Sequence, residues 1–345
     1  MTESRLKHVD VARGIAIISI IIGHMGIREV ERFVFTFHVP IFFLISGYFI
    51  SERSKFSEFV QRKAKTLLLP YYLTCLVFIL LAALEGYLDG GTRGLLLKIA
   101  AFTNATIYGA GNAHTEPILI SGISAIWFLW AAFWGNIFLK ISLRLKEKER
   151  ILLIGLLFLL GICTKDILWL PLSIQPGCCA TLFMYVGYLY RRTSSIRESC
   201  SEEIKHVWLL FATIVWIFFV KDFKSFWFVS CDFGRGIIDI FGSLCACYVV
   251  IQLSKLISKV RGLGQGLAFV GENSLYILCV HDIELWMFPW KEMANFFNLR
   301  GMPESWNIPL ILIGKLIMDI SLAWLLSKVK IVAKRPENRV DCKQE

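Results

Sequence analysis

The sequence predicts an all-α fold, a polytopic membrane helical bundle of about ten transmembrane helices with both termini cytoplasmic, and three observations lead there. First, 56% of the 345 residues are hydrophobic and 19% charged, with mean hydropathy +0.61, whereas soluble domains carry roughly a quarter charged residues. Second, the apolar residues arrive in blocks, many close to the roughly 17 to 25 residues that cross a hydrocarbon core. Third, the stretches between blocks alternate between rich and poor in Lys and Arg, the pattern that orients spanning helices.

The blocks fall at about 11–27, 34–50, 70–85, 122–140, 151–164, 176–190, 206–220, 236–257, 266–288 and 307–327. The fifth, sixth and seventh are short, so they require tilt, local thinning of the bilayer or extension into polar flanks. The N-terminus and residues 51–69, 140–150, 191–205, 255–261 and 328–345 hold 25 of the 37 Lys and Arg. The intervening stretches hold 10, and Arg13 and Lys315 lie within spans. The basic set is therefore expected in the cytoplasm. Arg5 and Lys7 precede an apolar stretch that contains Arg13 and His24 and no small-residue cleavage site, which predicts a first span and not a removed signal peptide.

Residues 1–335 are expected to form one integral membrane domain, followed by a short polar cytoplasmic tail at 336–345. No strong repeat relates the halves. The net charge of +10 is distributed between apolar blocks, where it meets anionic lipid, so the bilayer is the implied partner and nucleic acid is not. Most of the ten cysteines, among them Cys75, Cys163, Cys178, Cys179, Cys245, Cys247 and Cys279, lie in apolar blocks without ligand spacing, so no metal is expected. The longest predicted outer segment, 86–121, contains Asn104, Tyr108, Asn112, His114 and Glu116. That composition suits a substrate-contacting loop as well as a plain surface loop with an amphipathic stretch at 95–102.

Ionisable groups within spans cost about 3 kcal/mol each on insertion scales and face a bundle interior or aqueous cavity. Arg13 and His24 share the first span eleven residues apart, roughly 16 Å along the axis and on nearly one face. Such a face suits a donor whose phosphates bind near the cytosol while a long arm carries its reactive end deeper, the shape of coenzyme A. An imidazole there serves as general base for a hydroxyl. Otherwise Arg13 pairs with Asp10 and His24 bonds a neighbouring helix. His38 enters the second span at the same outer side, suiting a substrate-orienting partner. Lys315 and Asp319 are spaced to neutralise one another, and Asp239 is a further intramembrane charge whose partner the sequence does not reveal.

The segments Asp10-Val11-Ala12-Arg13-Gly14-Ile15 through Gly23-His24, and Phe37-His38-Val39-Pro40-Ile41-Phe42-Phe43-Leu44-Ile45-Ser46-Gly47-Tyr48, resemble the opening of the membrane acyltransferase-3 family. Within it they are most similar to the sugar O-acetylases related to fucose 4-O-acetylases. Trp127-Phe128-Leu129 and Gly271-Glu272-Asn273-Ser274-Leu275-Tyr276-Ile277-Leu278 followed by His281 extend the resemblance over nearly the whole chain. Where the family often has Arg-x-x-Arg, this chain reads Arg62-Lys63-Ala64-Lys65, keeping charge but losing a guanidinium fork.

The resemblance implies about ten spans and a bacterial inner or plasma membrane location. It implies acetyl-CoA as cosubstrate with no permanently bound cofactor, and a glycan or other hydroxyl acceptor. It makes His24 catalytic, supported by Arg13 and His38. Donor binding falls to Arg13, Arg62 and Lys65, and acceptor contact to Trp127, Glu116, Ser274 and His281. Direct transfer and an acetyl-imidazole intermediate on His24 both suit the residues. The acceptor's identity, the acyl chain and the oligomeric state are not encoded in these motifs. The competing class is a secondary transporter or flippase that uses the same histidines and carboxylates as a proton relay, and a third is a noncatalytic membrane partner or sensor.

Overall fold

The computed structural model describes residues 6–115 and 117–328. The chain forms α1 (Lys7–Gly23), the short polar helix α2 (Arg28–Val34), α3 (Pro40–Tyr48), the polar α4 (Phe56–Lys63) and α5 (Leu69–Tyr108). These are followed by α6 (Trp127–Ser142), α7 (Glu147–Thr164), α8 (Ile174–Arg192), α9 (Ser194–Ser199) and α10 (Glu202–Lys221). The chain ends in α11 (Ile237–Ile257), α12 (Leu263–Glu272), α13 (Ser274–Met287), α14 (Trp290–Leu299) and α15 (Glu304–Lys328). Among the described residues the only extended pairings are two isolated bridges, so the fold is an all-α membrane bundle. Among the described residues, five helical segments are each long and apolar enough to cross a bilayer alone. The tail at 336–345 lies outside the described residues.

The apolar blocks lie largely on helix, but the block at 34–50 is helical only at Val34 and in α3, whose 9 residues are too few to cross a bilayer alone. The three short blocks are lengthened by their polar flanks, to 18 residues in α7, 19 in α8 and 20 in α10. The block at 266–288 is broken at Asn273 into α12 and α13. The segment at 86–121 departs most from expectation, because α5 folds back on itself. Its polypeptide reverses at Gly90 and Gly91, and Gly91 has φ +58°, a left-handed conformation glycine adopts without Cβ strain. Residues 92–108 then return along residues 69–89. The Tyr71 hydroxyl donates to the Thr106 carbonyl at 2.8 Å, the Phe78 and Phe102 rings lie 5.9 Å apart, and Lys98 pairs with Glu85 at 3.2 Å. The stretch at 95–102, expected as an amphipathic part of a surface loop, belongs instead to this returning arm, in which Phe102 and Ala105 are buried.

Two close helix pairs set the frame of the site. α1 lies on α12 with Gly14 against the Leu267 carbonyl and Gly271 against the Asp10 carbonyl, where an added Cβ falls on the opposing backbone in both cases. α3 and α8 repeat the device, Gly47 facing the Met184 carbonyl and Gly187 the Leu44 carbonyl. Small residues let backbones approach where lipid offers no hydrophobic drive for association. Between these pairs, α6 is fixed by polar ties. Asn136 donates to Ser46 Oγ at 2.9 Å, and buried Lys140 donates to the Ser51 and Glu52 carbonyls at 2.5 and 2.9 Å.

Overpacking a tight crossing costs about 1–3 kcal/mol. Gly47→Val should therefore lower the unfolding midpoint of the detergent-purified protein by several degrees. Gly155→Ala, at a helical position with open space around it, should leave that midpoint unchanged or raise it.

Candidate active site

One face of α1 lines a cavity of about 540 Å³ through Arg13, Ile17, Ile20, Gly23 and His24. The three- and four-residue steps between them follow from helical periodicity, so the cavity extends along the axis from the Arg13 end to the His24 end. α3, α6 and the loop at 226–229 complete the wall with Phe42, Ser46, Trp127, Phe128, Trp227 and Phe228, and Ser274 of α13 also faces it.

Arg13 keeps a partner at one end, since its guanidinium donates to Asp10 Oδ1 at 3.4 Å and stands 5.9 Å from the Phe49 ring centroid. It lines the cavity as well. The neighbouring cation in the wall is Lys63. Arg62 and Lys65, expected at the donor, are both exposed and lie outside the wall. The π-helical turn Ala64–Leu68 directly follows α4, and Lys63, Thr66 and Leu67 are the side chains of this region that meet the cavity. Spacing in a motif could not supply that orientation.

His24 is open to the cavity at the other end. Its Nδ1 lies 3.0 Å from His281 Nε2, with the rings stacked at 5.2 Å between centroids. His281, fully buried, places Nδ1 3.0 Å from Glu284 Oε2 and 2.9 Å from Asp319 Oδ2. Carboxylates only accept, so His281 Nδ1 carries hydrogen. In neutral His281, Nε2 then accepts from His24 Nδ1–H, and the His24 Nε2 lone pair is left free for another proton. Lys315 donates to Glu284 Oε1 at 2.5 Å. The expected Lys315–Asp319 pair is thus replaced. Both residues lie on the face of α15 toward α13, and there each finds a buried partner of its own.

The chain His24–His281–carboxylates has the logic of a catalytic triad with a second imidazole inserted. With both carboxylates ionised and Lys315 charged, the cluster carries one net negative charge, which stabilises the imidazolium formed when His24 takes a proton. His281 therefore touches His24 and does not line the cavity. Glu284, absent from the sequence reading, was signalled by its i, i+3 spacing from His281. His281, Glu284 and Asp319 also offer ligand atoms within 4.8 Å of one another, but the Lys315 ammonium on Glu284 disfavours a cation there.

His38 lines the same cavity and donates from Nδ1 to the Val34 carbonyl at 2.8 Å, leaving Nε2 as an acceptor in the neutral ring. Of the polar residues in 86–121, Asn112 reaches the cavity. Asn104 instead accepts from the Ser121 amide at 2.8 Å, and His114 stacks on Trp169 at 4.7 Å. Glu116 lies outside the described residues. Asp239 is paired with Arg235, whose Nε donates to it at 2.8 Å.

Residues 6–328 match the family described as Acyltransferase domain, the third acyltransferase family of that series. The chain belongs to the acyltransferase-3 family. It is 26% identical over 246 residues to Nodulation protein NolL of Sinorhizobium fredii, covering 66% of this chain and 57% of the relative. It is 28% identical over 156 residues to Nodulation protein NolL of Mesorhizobium japonicum, covering 41% of this chain and 36% of the relative. The chain thus spans about half the length, or less, of these curated relatives. No solved structure matches the chain.

Asp319→Asn keeps the shape of the buried cluster and removes its charge. It should lower acyl transfer by about tenfold to a hundredfold at equal membrane expression, in the range that oriented acid–base groups contribute.

Proposed function

We propose that the acyltransferase is an acetyl-CoA-dependent O-acetyltransferase of the cell membrane, acting on a sugar hydroxyl of a cell-surface or lipid-linked glycan. The observation that carries this reading is the single cavity joining Arg13 and Lys63 to His24 along α1. In the topology drawn from the positive-inside pattern, with ten spans and both termini cytoplasmic, the cationic end opens to the cytosol and the histidine end faces outward. Arg13 and Lys63 hold the phosphates of the donor, and Arg62 and Lys65 add positive potential around the entrance. The separation from Arg13 to His24, roughly 16 Å along α1, matches a donor with its charge and its thioester at opposite ends of a long arm.

His24 Nε2 takes the proton of the acceptor hydroxyl as the oxygen attacks the thioester carbonyl. The carbon–sulfur bond breaks, the new ester forms, and the thiolate leaves with the proton returned by His24. His281, backed by Glu284 and Asp319, holds the ring in the productive tautomer and stabilises its charged form. His38, Ser274 and Trp127 orient the acceptor. In this site Trp127 and the ring of Phe128 keep bulk water from the thioester.

Membranes containing the wild-type chain should transfer radiolabelled acetyl from acetyl-CoA to a crude glycan extract. His24→Ala at equal expression should reduce the label by about a hundredfold or more. Equal label in both membranes would remove His24 from the mechanism.

A further inference from the structure

The two ends of the cavity carry unbalanced charge of opposite sign. Lys63 lies at the Arg13 end, and among the described residues its ammonium makes no hydrogen bond or ion pair, only an approach to the Phe59 ring at 5.6 Å. Past His24, α2 contributes Glu31 to the same wall. It is half-buried, and its carboxylate likewise has no hydrogen-bond or ion-pair partner among the described residues. A carboxylate that has lost part of its water and gained no donor is available to a hydroxylic ligand and hostile to an anionic one. Asn112 and Trp227 line the cavity with it. The Asn112 amide donates to Ser230 Oγ at 2.9 Å. Trp227 is 42% exposed and held edge-on to Phe35 at 5.1 Å, so a rigid aromatic surface stands at this end.

We propose that Glu31 is the acceptor-selecting residue: its carboxylate accepts hydrogen bonds from the hydroxyls of an uncharged or amino sugar seated against Trp227, and it rejects sugars carrying carboxylate or phosphate near the reacting hydroxyl. The proposal rests on the acetyltransferase reading and adds the acceptor's charge class to it. The polyanionic donor is held at the cationic end by Arg13 and Lys63, so donor and acceptor approach His24 from opposite sides without competing.

The test uses a glycan extract separated by anion exchange into uncharged and anionic fractions, each offered with radiolabelled acetyl-CoA to membranes bearing the wild-type chain or Glu31→Gln. The wild type should prefer the uncharged fraction. The isosteric variant should weaken that preference by about tenfold, as removal of a like-charge contact predicts, while the KM for acetyl-CoA stays within about twofold of wild type because the donor end is untouched. An unchanged preference in Glu31→Gln, or a wild-type preference for the anionic fraction, would overturn the assignment. No label in either fraction with wild type would overturn the acetyltransferase reading instead, and the assignment with it.

Discussion

An ionised group carried into a bilayer must find a partner there, and in this chain one cluster spread over three helices gathers several such groups. α1 brings His24, α13 brings His281 and Glu284, and α15 brings Asp319 and Lys315. Two carboxylates alone would be costly at that depth. With Lys315 on Glu284 at 2.5 Å and His281 within 3.0 Å of both carboxylates, each charge is met by a donor. In the proposed reaction the remaining negative charge stands behind His24 when it becomes imidazolium. On that proposal, stability of the buried ions and reactivity of His24 depend on the same contacts.

That cluster survives only if α1 and α13 hold a fixed register. The α1–α12 crossing sets it, since Gly14 and Gly271 each meet the other helix's carbonyl, and α13 follows α12 after the single residue Asn273. The same crossing orients the Arg13 to His24 face toward α3 and α6. Close backbone packing at one side of α1 thus leaves room for the cavity at the other. The α3–α8 pair fixes the opposite wall by the same means, with Gly47 and Gly187. Glycines that look like packing devices in the sequence are, in the fold, what separates a filled bundle from one with a passage.

Much of this was legible before any coordinates. Apolar blocks and Lys/Arg alternation place the helices because bilayer thickness and charge bias act on composition, which a sequence displays directly. Arg13 and His24 stand out because their spacing keeps them on one face. What composition does not display is side-chain direction across helices. The basic run at Arg62–Lys65 shows four adjacent positions of which only Lys63 carries its charge to the cavity. Lys315 and Asp319 have the spacing of a pair, yet each is claimed by α13. The returning arm of α5 was hidden because its contacts are with partners 13 to 35 residues away in sequence. Glu31 carried no motif and Glu284 only an i, i+3 spacing from His281, and the placement of their helices is what brings them to the cavity and the cluster.

The central claim is that donor and acceptor reach His24 from opposite ends of one passage. The most direct measurement uses inside-out membrane vesicles with labelled acetyl-CoA supplied outside and glycan acceptor sealed in the lumen. Labelled acceptor inside vesicles bearing the wild-type chain, and none with His24→Ala, is the result the account predicts. Label that forms only when acceptor and acetyl-CoA share the outer, cytoplasmic-facing compartment would contradict it.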